Sequence, residues 1–351
     1  MNASDWNPGK LLELSGYYWK TCTLHAGVKM DIFTIIGSRK LTAKAIAEKM
    51  NADQRAVATL LNALSAMGLL VKSDDFYANS EGARTFLSKD SPQYIGYMIM
   101  HHYHLIESWI NIDQAVLSGK PVRRRSSNQD EVKRESFLMG MFNMAMSIAP
   151  KLSDSIDLSS RSHLLDLGGG PGTYAIHYCL KNPNLKAKIF DLPTTKPFAE
   201  KTINKFGLKD RIDFIPGDYL IDPIPGSYDV AWLSHILHGE GPDDCQQIIN
   251  KTTAALKPGG MILIHEFILD NTMDKPLFPA LFSINMLIGT SEGRSYTEKE
   301  LADMLEKAGV KEVKRLDFKG PTESGIICGI VSRGEKIAKQ RNTDSAIHDP
   351  Y

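Results

Sequence analysis

Five short apolar runs alternate with helix-forming stretches in the second half of the chain: HLLDL (163–167), AKIFD (187–191), IDFI (212–215), YDVAWL (228–233) and GMILIHEF (260–267). Runs this short and this apolar suit strands covered on both faces. Strands separated by helices pair in parallel, because a parallel crossover needs a dozen or more residues. The alternation predicts a doubly wound, mostly parallel α/β sheet. Two later runs, KEVKRLDF and GIICGIV, are separated only by a short segment containing GPTES. A connection that short suits a hairpin, so one late strand is expected to run antiparallel.

The stretch LLDLGGGPG, from Leu164 to Gly172, follows the first strand and precedes the helical TYAIHYCLKN. In a doubly wound sheet, ligands sit at the carboxyl ends of the strands, near this first turn. A phosphate loop needs G-K-[ST] after its glycines, and here the residues are G-T-Y. A dinucleotide loop reads G-x-G-x-x-G, whereas Pro171 intrudes among Gly168, Gly169, Gly170 and Gly172. Asp166 also stands where it would repel a pyrophosphate. A cationic ligand without phosphate suits the loop better. S-adenosylmethionine has an ammonium, a sulfonium, a ribose and an adenine, and no phosphate. Asp191, ending the second strand in KIFDLP, is placed to accept from both ribose hydroxyls. Asp218, after the third strand in IPGDYL, is placed to accept from the adenine amino group.

The first third reads as helical. LTAKAIAEKM (41–50) is expected to be a short amphipathic helix. A longer helix starts from Asp53 as N-cap, carries Val57, Leu60, Leu61, Leu64 and Met67 on one face, and is ended by Gly68. LLVKSDDFYA then gives two short strands around a polar turn, which completes a winged-helix pattern. Such units often bind DNA. The second helix, however, carries only Arg55 as a cation, and the chain balances 41 basic against 41 acidic side chains. A packing or dimerisation unit is therefore expected. The rival, a ligand-sensing regulator, requires salt-dependent duplex binding.

From Ser91 to Ile156 the chain is again helical, rich in methionine and aromatics, and interrupted by KPVRRRSSNQDEVKRES (120–136), which reads as an exposed loop. Side chains of this kind at helical spacing build cores, and they also suit a wall against a flat apolar ligand. The cluster MHHYH offers His101, His102 and His104, but no acidic or cysteine partner is spaced with it, so polar pocket lining is expected and a metal is not. The four cysteines are scattered without a C-x-x-C, as reduced thiols of a cytoplasmic protein. Neither a secretory leader nor a membrane-spanning run is evident. The tail after Ser332 is polar and expected to fray.

The segments LLDLGGGPGTYA, KIFDLP, PGDYL, YDVAWLSHILHGEGPDDC, LKPGG and GTSEGRSYTEKELADMLEKAG together resemble the S-adenosylmethionine-dependent O-methyltransferases of the caffeic acid and acetylserotonin type, including their bacterial small-molecule branch. The resemblance runs from about Leu11 to Ser332. It implies a winged-helix-like dimerisation domain (1–105), a helical linker feeding the substrate pocket (106–160), a Rossmann-like catalytic domain with a seven-stranded sheet (161–333) and a flexible tail (334–351). It implies a homodimer that methylates a hydroxyl of an aromatic or polycyclic small molecule, releases S-adenosylhomocysteine, and engages neither nucleic acid nor membrane. Matching motif to motif, His238 is the general base, oriented by Glu292 or, as a weaker candidate, Glu266; Arg294 is expected to hold the loop of Glu292. An imidazole titrating near neutral pH can take a phenolic proton as the methyl group moves.

The cofactor set implied is Asp166, Gly168, Gly170, Asp191, Leu192, Gly217, Asp218, Tyr219 and Ser234. The acceptor set is His101, His104, Met139, Phe142, Met146, His235 and Met286. The chain departs from the plant pattern where Gly239 and Glu240 replace an aspartate and a tryptophan, and where Ser234 and His235 replace a lysine and a tryptophan. These departures keep open transfer to carbon or nitrogen, or a use of the cofactor without methylation.

Overall fold

A computed structural model describes residues 6–123 and 131–332. The expected tail (334–351), the first five residues and the middle of the 120–136 run lie outside the described residues.

Helices α1 (Pro8–Gly16) and α2 (Tyr18–Lys29) open the chain, with Asn7 capping α1 through an acceptor bond from Lys10 N at 3.0 Å. They lead into α3 (Ile32–Ile36), β1 (Leu41–Thr42), α4 (Ala43–Met50), α5 (Gln54–Ala66), β2 (Leu70–Ser73), β3 (Phe76–Asn79) and α6 (Glu81–Phe86). Asp53 caps α5 through Ala56 N at 2.8 Å, and Val57, Leu61 and Leu64 are buried against Phe33, Ile46 and Tyr77. One expectation is corrected here. LTAKAIAEKM is not helical throughout: Leu41 and Thr42 pair antiparallel with Tyr77 and Phe76, making the wing three-stranded. Thr42 is β-branched and also an N-cap, accepting from Ala45 N at 3.2 Å, so the helix starts only after it.

Three helices follow: α7 (Gly96–Trp109), α8 (Ile112–Ser118) and α9 (Glu131–Ser155). The run expected as loop to residue 136 is helical from Glu131, whose carboxylate favours a first helical turn. The long α9 serves two neighbours. Near its start Gly140 lets it approach α7, since a Cβ there would stand 3.0 Å from Met98 Cα. Its later residues, Ala149 and Leu152, are buried in the core of the sheet domain.

That sheet is built from β4 (His163–Leu167), β5 (Lys186–Asp191), β6 (Ile212–Pro216), β7 (Tyr228–Ser234), β8 (Leu256–Glu266), β9 (Val310–Arg315) and β10 (Gly325–Val331). The intervening helices are α10 (Thr173–Lys181), α11 (Lys196–Lys205), α12 (Pro242–Ala254), α13 (Leu277–Leu287) and α14 (Glu298–Lys307). The spatial order is β6-β5-β4-β7-β8-β10-β9, with β10 antiparallel to both neighbours, as the hairpin spacing predicts. Alternate side chains fill two layers. Leu164, Val230 and Trp232 face α9, α10 and α11, while Leu165, Ala231 and Leu233 face α12 and α14. The chain order reverses between β4 and β7, so a crevice opens at their carboxyl ends. Among the described residues no helix is long and apolar enough to cross a membrane.

Candidate active site

The glycine loop forms one wall of that crevice. Gly168 has φ +64, and a Cβ there would stand 2.5 Å from Ile236 Cγ2, so only glycine fits. At Gly169 a Cβ would meet the Asp166 carboxyl carbon at 2.6 Å, whereas the Cβ position of Gly170 is open. Asp166 is fully buried beneath the loop, where Oδ2 accepts from Ala175 N at 3.2 Å in the first turn of α10. Its Oδ1 has no hydrogen-bond partner. Burial pushes its pKa up to about 7, against the pull of the Ala175 bond and with help from the charge on Asp191.

Asp191 joins the first two strand ends. Its Oδ2 accepts from Gly170 N at 2.8 Å, and its Oδ1 from Leu192 N at 2.6 Å and Thr195 Oγ1 at 3.0 Å. Burial raises its pKa, and these three bonds oppose the rise. The buried Gly217 donates to Asp191 O at 2.9 Å, which brings the third strand end alongside. Asp218, half-buried, accepts from Leu220 N at 2.9 Å, and the Tyr219 hydroxyl reaches Glu240 Oε1 at 3.3 Å. Ser234 Oγ lies 3.0 Å from His265 Nδ1, and His265 Nε2 lies 3.0 Å from Ser324 Oγ. This imidazole is fully buried, and burial together with the neighbouring His235 holds its pKa well below the ordinary value. It is a neutral strut under the site. The sequence reading overlooks it because a histidine inside an apolar strand run looks like core.

The other wall begins where β7 ends. His235 adopts φ +57, uncommon for a non-glycine residue, and donates its N–H to His265 O at 2.8 Å. The chain then turns through a short 3-10 turn, Leu237–Gly239, which carries His238. Glu266, at the end of the neighbouring β8, holds this turn from below. Its Oε1 accepts from Leu237 N at 3.0 Å and His238 N at 3.3 Å; its Oε2 accepts from Phe267 N at 3.2 Å and lies 2.8 Å from His238 Nδ1. Burial alone would raise the Glu266 pKa, but His238 and His235 outweigh it and hold the carboxyl well below the usual range. An ionised Glu266 accepting from Nδ1–H leaves the His238 lone pair on Nε2.

Aromatic rings enclose the imidazole. Phe282 on α13 meets His238 edge-on at 4.7 Å, and Phe267 packs at a tilt against His235 at 4.3 Å and against Phe282 at 4.6 Å. Phe278 extends the wall at 5.0 Å from Phe267. None of these three phenylalanines stands out in the sequence, where an apolar ring reads as core.

The structure thus brings Glu266, the weaker candidate, onto His238. Glu292 is exposed, abuts Gly241, and makes no hydrogen bond to His238. Arg294 pairs with Glu300 at 2.7 Å and covers the Tyr296 ring, which fastens its loop to the start of α14. Met286 is buried one turn beyond Phe282. His101 and His104 line a pocket between α7 and α9, and Phe142 is buried nearby on α9. Met139 is half-buried on the same helix. Met146 turns away toward α10, with Sδ 3.3 Å from His177 Nε2. Within the histidine cluster His101 is buried and His102 exposed. Among the described residues, His235, His238 and Glu266 do form a group that could hold a metal ion, their ligand atoms lying within 4.8 Å of one another.

Residues 119–311 match the model of the O-methyltransferase domain, and residues 12–89 that of the O-methyltransferase dimerisation domain. The chain is 32% identical to a 3-hydroxy-5-methyl-1-naphthoate 3-O-methyltransferase of Streptomyces sahachiroi, over 92% of this chain and 95% of that protein. It is 30% identical to the tetracenomycin polyketide synthesis 8-O-methyl transferase TcmO of Streptomyces glaucescens, over 91% and 96%. Among solved structures, PigF with S-adenosylhomocysteine superposes with a TM-score of 0.86 at 25% identity, covering 93% of this chain and 100% of that one; PigF is an S-adenosyl-L-methionine-dependent methyl transferase of a Serratia species.

Proposed function

The chain belongs to the family of S-adenosylmethionine-dependent O-methyltransferases, and from this we propose that it methylates a hydroxyl of a fused-ring aromatic small molecule, with His238 as general base and Glu266 as the group that positions it. The observation that carries the proposal is the 2.8 Å contact between His238 Nδ1 and Glu266 Oε2 at the mouth of the crevice, inside a wall of phenylalanines. The relatives named for a naphthoate and for a polyketide support a flat, fused-ring acceptor.

The residues at the glycine loop fit the cofactor. Asp166, a buried carboxyl with one oxygen that has no partner, would hold its ammonium. Gly170 leaves open space, and Asp191 and Asp218 offer acceptors to ribose and adenine, with Gly168, Leu192, Gly217 and Tyr219 shaping the floor. S-adenosylmethionine, when bound, supplies the methyl group as an electrophile on sulfur. His238 Nε2 takes the hydroxyl proton of the acceptor as the oxygen attacks, and the ionised Glu266 stabilises the resulting imidazolium. Phe267, Phe278 and Phe282 hold the ring plane and exclude water, so much of the rate comes from orientation. We assign residues 1–105 to dimerisation, 106–160 to the acceptor pocket and 161–333 to catalysis, in a homodimer working in the cytoplasm.

The test is to incubate the protein with S-adenosylmethionine bearing a deuterated methyl group and a panel of hydroxynaphthalenes, and to locate the label in the product. Label on oxygen supports the proposal. Label on carbon, or hydroxylated or decarboxylated products, contradicts it.

A further inference from the structure

His235 and His238 stand on the turn after β7, and Glu266 ends β8 beside it, because Ser234 pairs with His265 across the two parallel strands. Both imidazoles approach one carboxylate oxygen. His238 Nδ1 lies 2.8 Å from Glu266 Oε2, and His235 Nδ1 lies 3.6 Å from the same atom. The first contact positions the base. The second is too long for a hydrogen bond, and His235 Nδ1 is buried with no hydrogen-bond partner. Methyl transfer gives this nitrogen nothing to do. A buried polar atom left without a partner calls for an explanation such as an ion.

The three groups are held towards a common point. His235 is fixed at φ +57 by the bond of its N–H to His265 O at 2.8 Å. Its ring packs at a tilt against Phe267 at 4.3 Å and His265 at 4.4 Å. Glu266 Oε1 is tied to Leu237 N and His238 N, which leaves Oε2 facing the imidazoles. One ligand atom from each residue lies within 4.8 Å of the others, and among the described residues this is the one group of three His, Cys, Asp or Glu side chains that converges in this way.

The donor set selects the ion. Two imidazoles and a carboxylate with an open position suit zinc and ions like it, whereas magnesium and calcium demand a fuller set of oxygen ligands. With bonds of about 2.0–2.1 Å, the ligand atoms of a tetrahedral zinc stand roughly 3.3 Å apart. The His235 spacing is already close to this. The His238 spacing opens by about half an ångström once the proton between Nδ1 and Oε2 leaves. The Glu266 side chain is 3% exposed, against 23% for His235 and 14% for His238, so an ion enters past the two rings to a shielded carboxylate.

Such an ion changes what His238 can do. Neutral imidazole carries one N–H, and hydrogen bonding to Glu266 keeps it on Nδ1. An ion bound to Nδ1 takes that lone pair, so the proton relocates to Nε2 and none is lost. A protonated Nε2 donates and has no lone pair for the proton of an acceptor.

We propose that His235, His238 and Glu266 form a site for a zinc-class divalent cation, and that the bound ion silences methyl transfer by holding the His238 proton on Nε2. The silencing rests on the methyl-transfer reading above; the site itself does not.

The test titrates Zn²⁺ calorimetrically into the full-length protein, first stripped with a chelator. Wild type is expected to bind one ion per chain at this site. His235→Asn and Glu266→Gln are each expected to weaken that binding about tenfold or more. Asparagine tolerates a positive φ, and S-adenosylhomocysteine affinity checks the folding of both variants. Co²⁺ supplies a reading that needs no variant: the wild-type absorption spectrum should show nitrogen and oxygen ligation without a thiolate charge-transfer band. No Zn²⁺ binding, binding that survives both substitutions, or a thiolate band overturns the site. In the methylation assay with hydroxynaphthalenes, Zn²⁺ should abolish turnover over the range in which it binds, a chelator should restore it, and Mg²⁺ should have no effect. His235→Asn should raise the inhibitory Zn²⁺ concentration about tenfold or more, in step with its binding. Turnover that bound Zn²⁺ leaves unchanged or raises overturns the silencing. Zn²⁺ binding that needs His235 and Glu266, without methyl transfer to any acceptor, leaves the site standing and sinks the reaction. Methyl transfer without Zn²⁺ binding does the reverse.

Discussion

Asp166 lies under the glycine loop with one oxygen bonded to Ala175 N and the other unpartnered, and its pKa is pushed up to about 7 by burial. In an unfolded chain an aspartate titrates near ~3.9. A raised folded-state pKa contributes stability that is complete below the unfolded value and is lost as pH rises through about 7. A cationic ligand reverses this by favouring the carboxylate, so binding releases a proton wherever the free protein holds one. S-adenosylhomocysteine should bind more tightly as pH rises from 5.5 towards 7, by up to about tenfold per unit, and level off above. Calorimetry in buffers of different ionisation heat reads both the affinity and the proton. In Asp166→Asn the slope should vanish. A wild-type affinity that is flat across this range would remove Asp166 from the neighbourhood of the ammonium.

At the scale of elements, α7 and α9 cross closely at Gly140, where a Cβ would stand 3.0 Å from Met98 Cα. Gly140→Val places two methyl groups against Met98 and should cost about 1–3 kcal/mol by overpacking. A thermal scan should show a lower melting temperature. Acceptor KM should rise, while S-adenosylhomocysteine affinity, set at the glycine loop, should change little. An unchanged melting temperature would mean that α9 shifts freely at this crossing. The strands of the sheet and the hairpin are legible in the sequence because their apolar runs are short and their connections differ in length. Strand β1 is not, since two residues carry no periodicity and Thr42 also starts a helix. The ranking of Glu292 over Glu266 fails to find the partner of His238 for a similar reason. Only the register of β7 on β8, with Ser234 opposite His265, sets Glu266 beside the turn that bears His238. The phenylalanine wall is equally hidden, because Phe267, Phe278 and Phe282 meet only after β8 and α13 fold back on the turn.

At the scale of the whole molecule, the first two helices leave large apolar side chains in solvent: Leu12 at 73% exposure, Tyr18 at 61% and Trp19 at 68%. A patch of this kind marks an interface, and it falls in or beside the segment that matches the dimerisation domain. The double substitution Leu12→Asp with Trp19→Asp should turn the dimer into a monomer, read by light scattering after size exclusion. A dimer that persists would place the interface elsewhere. With 41 basic and 41 acidic side chains the chain has no net charge to oppose self-association.

The claim that joins these scales is that His238, held by Glu266, removes the proton as the methyl group moves. The direct measurement is turnover of wild type, His238→Ala and Glu266→Gln at saturating S-adenosylmethionine on a hydroxynaphthalene acceptor, with S-adenosylhomocysteine affinity taken in parallel. His238→Ala should lose on the order of 100-fold or more in kcat, and Glu266→Gln on the order of 10-fold, with cofactor affinity nearly intact. A His238→Ala protein that turns over as fast as wild type would contradict the account.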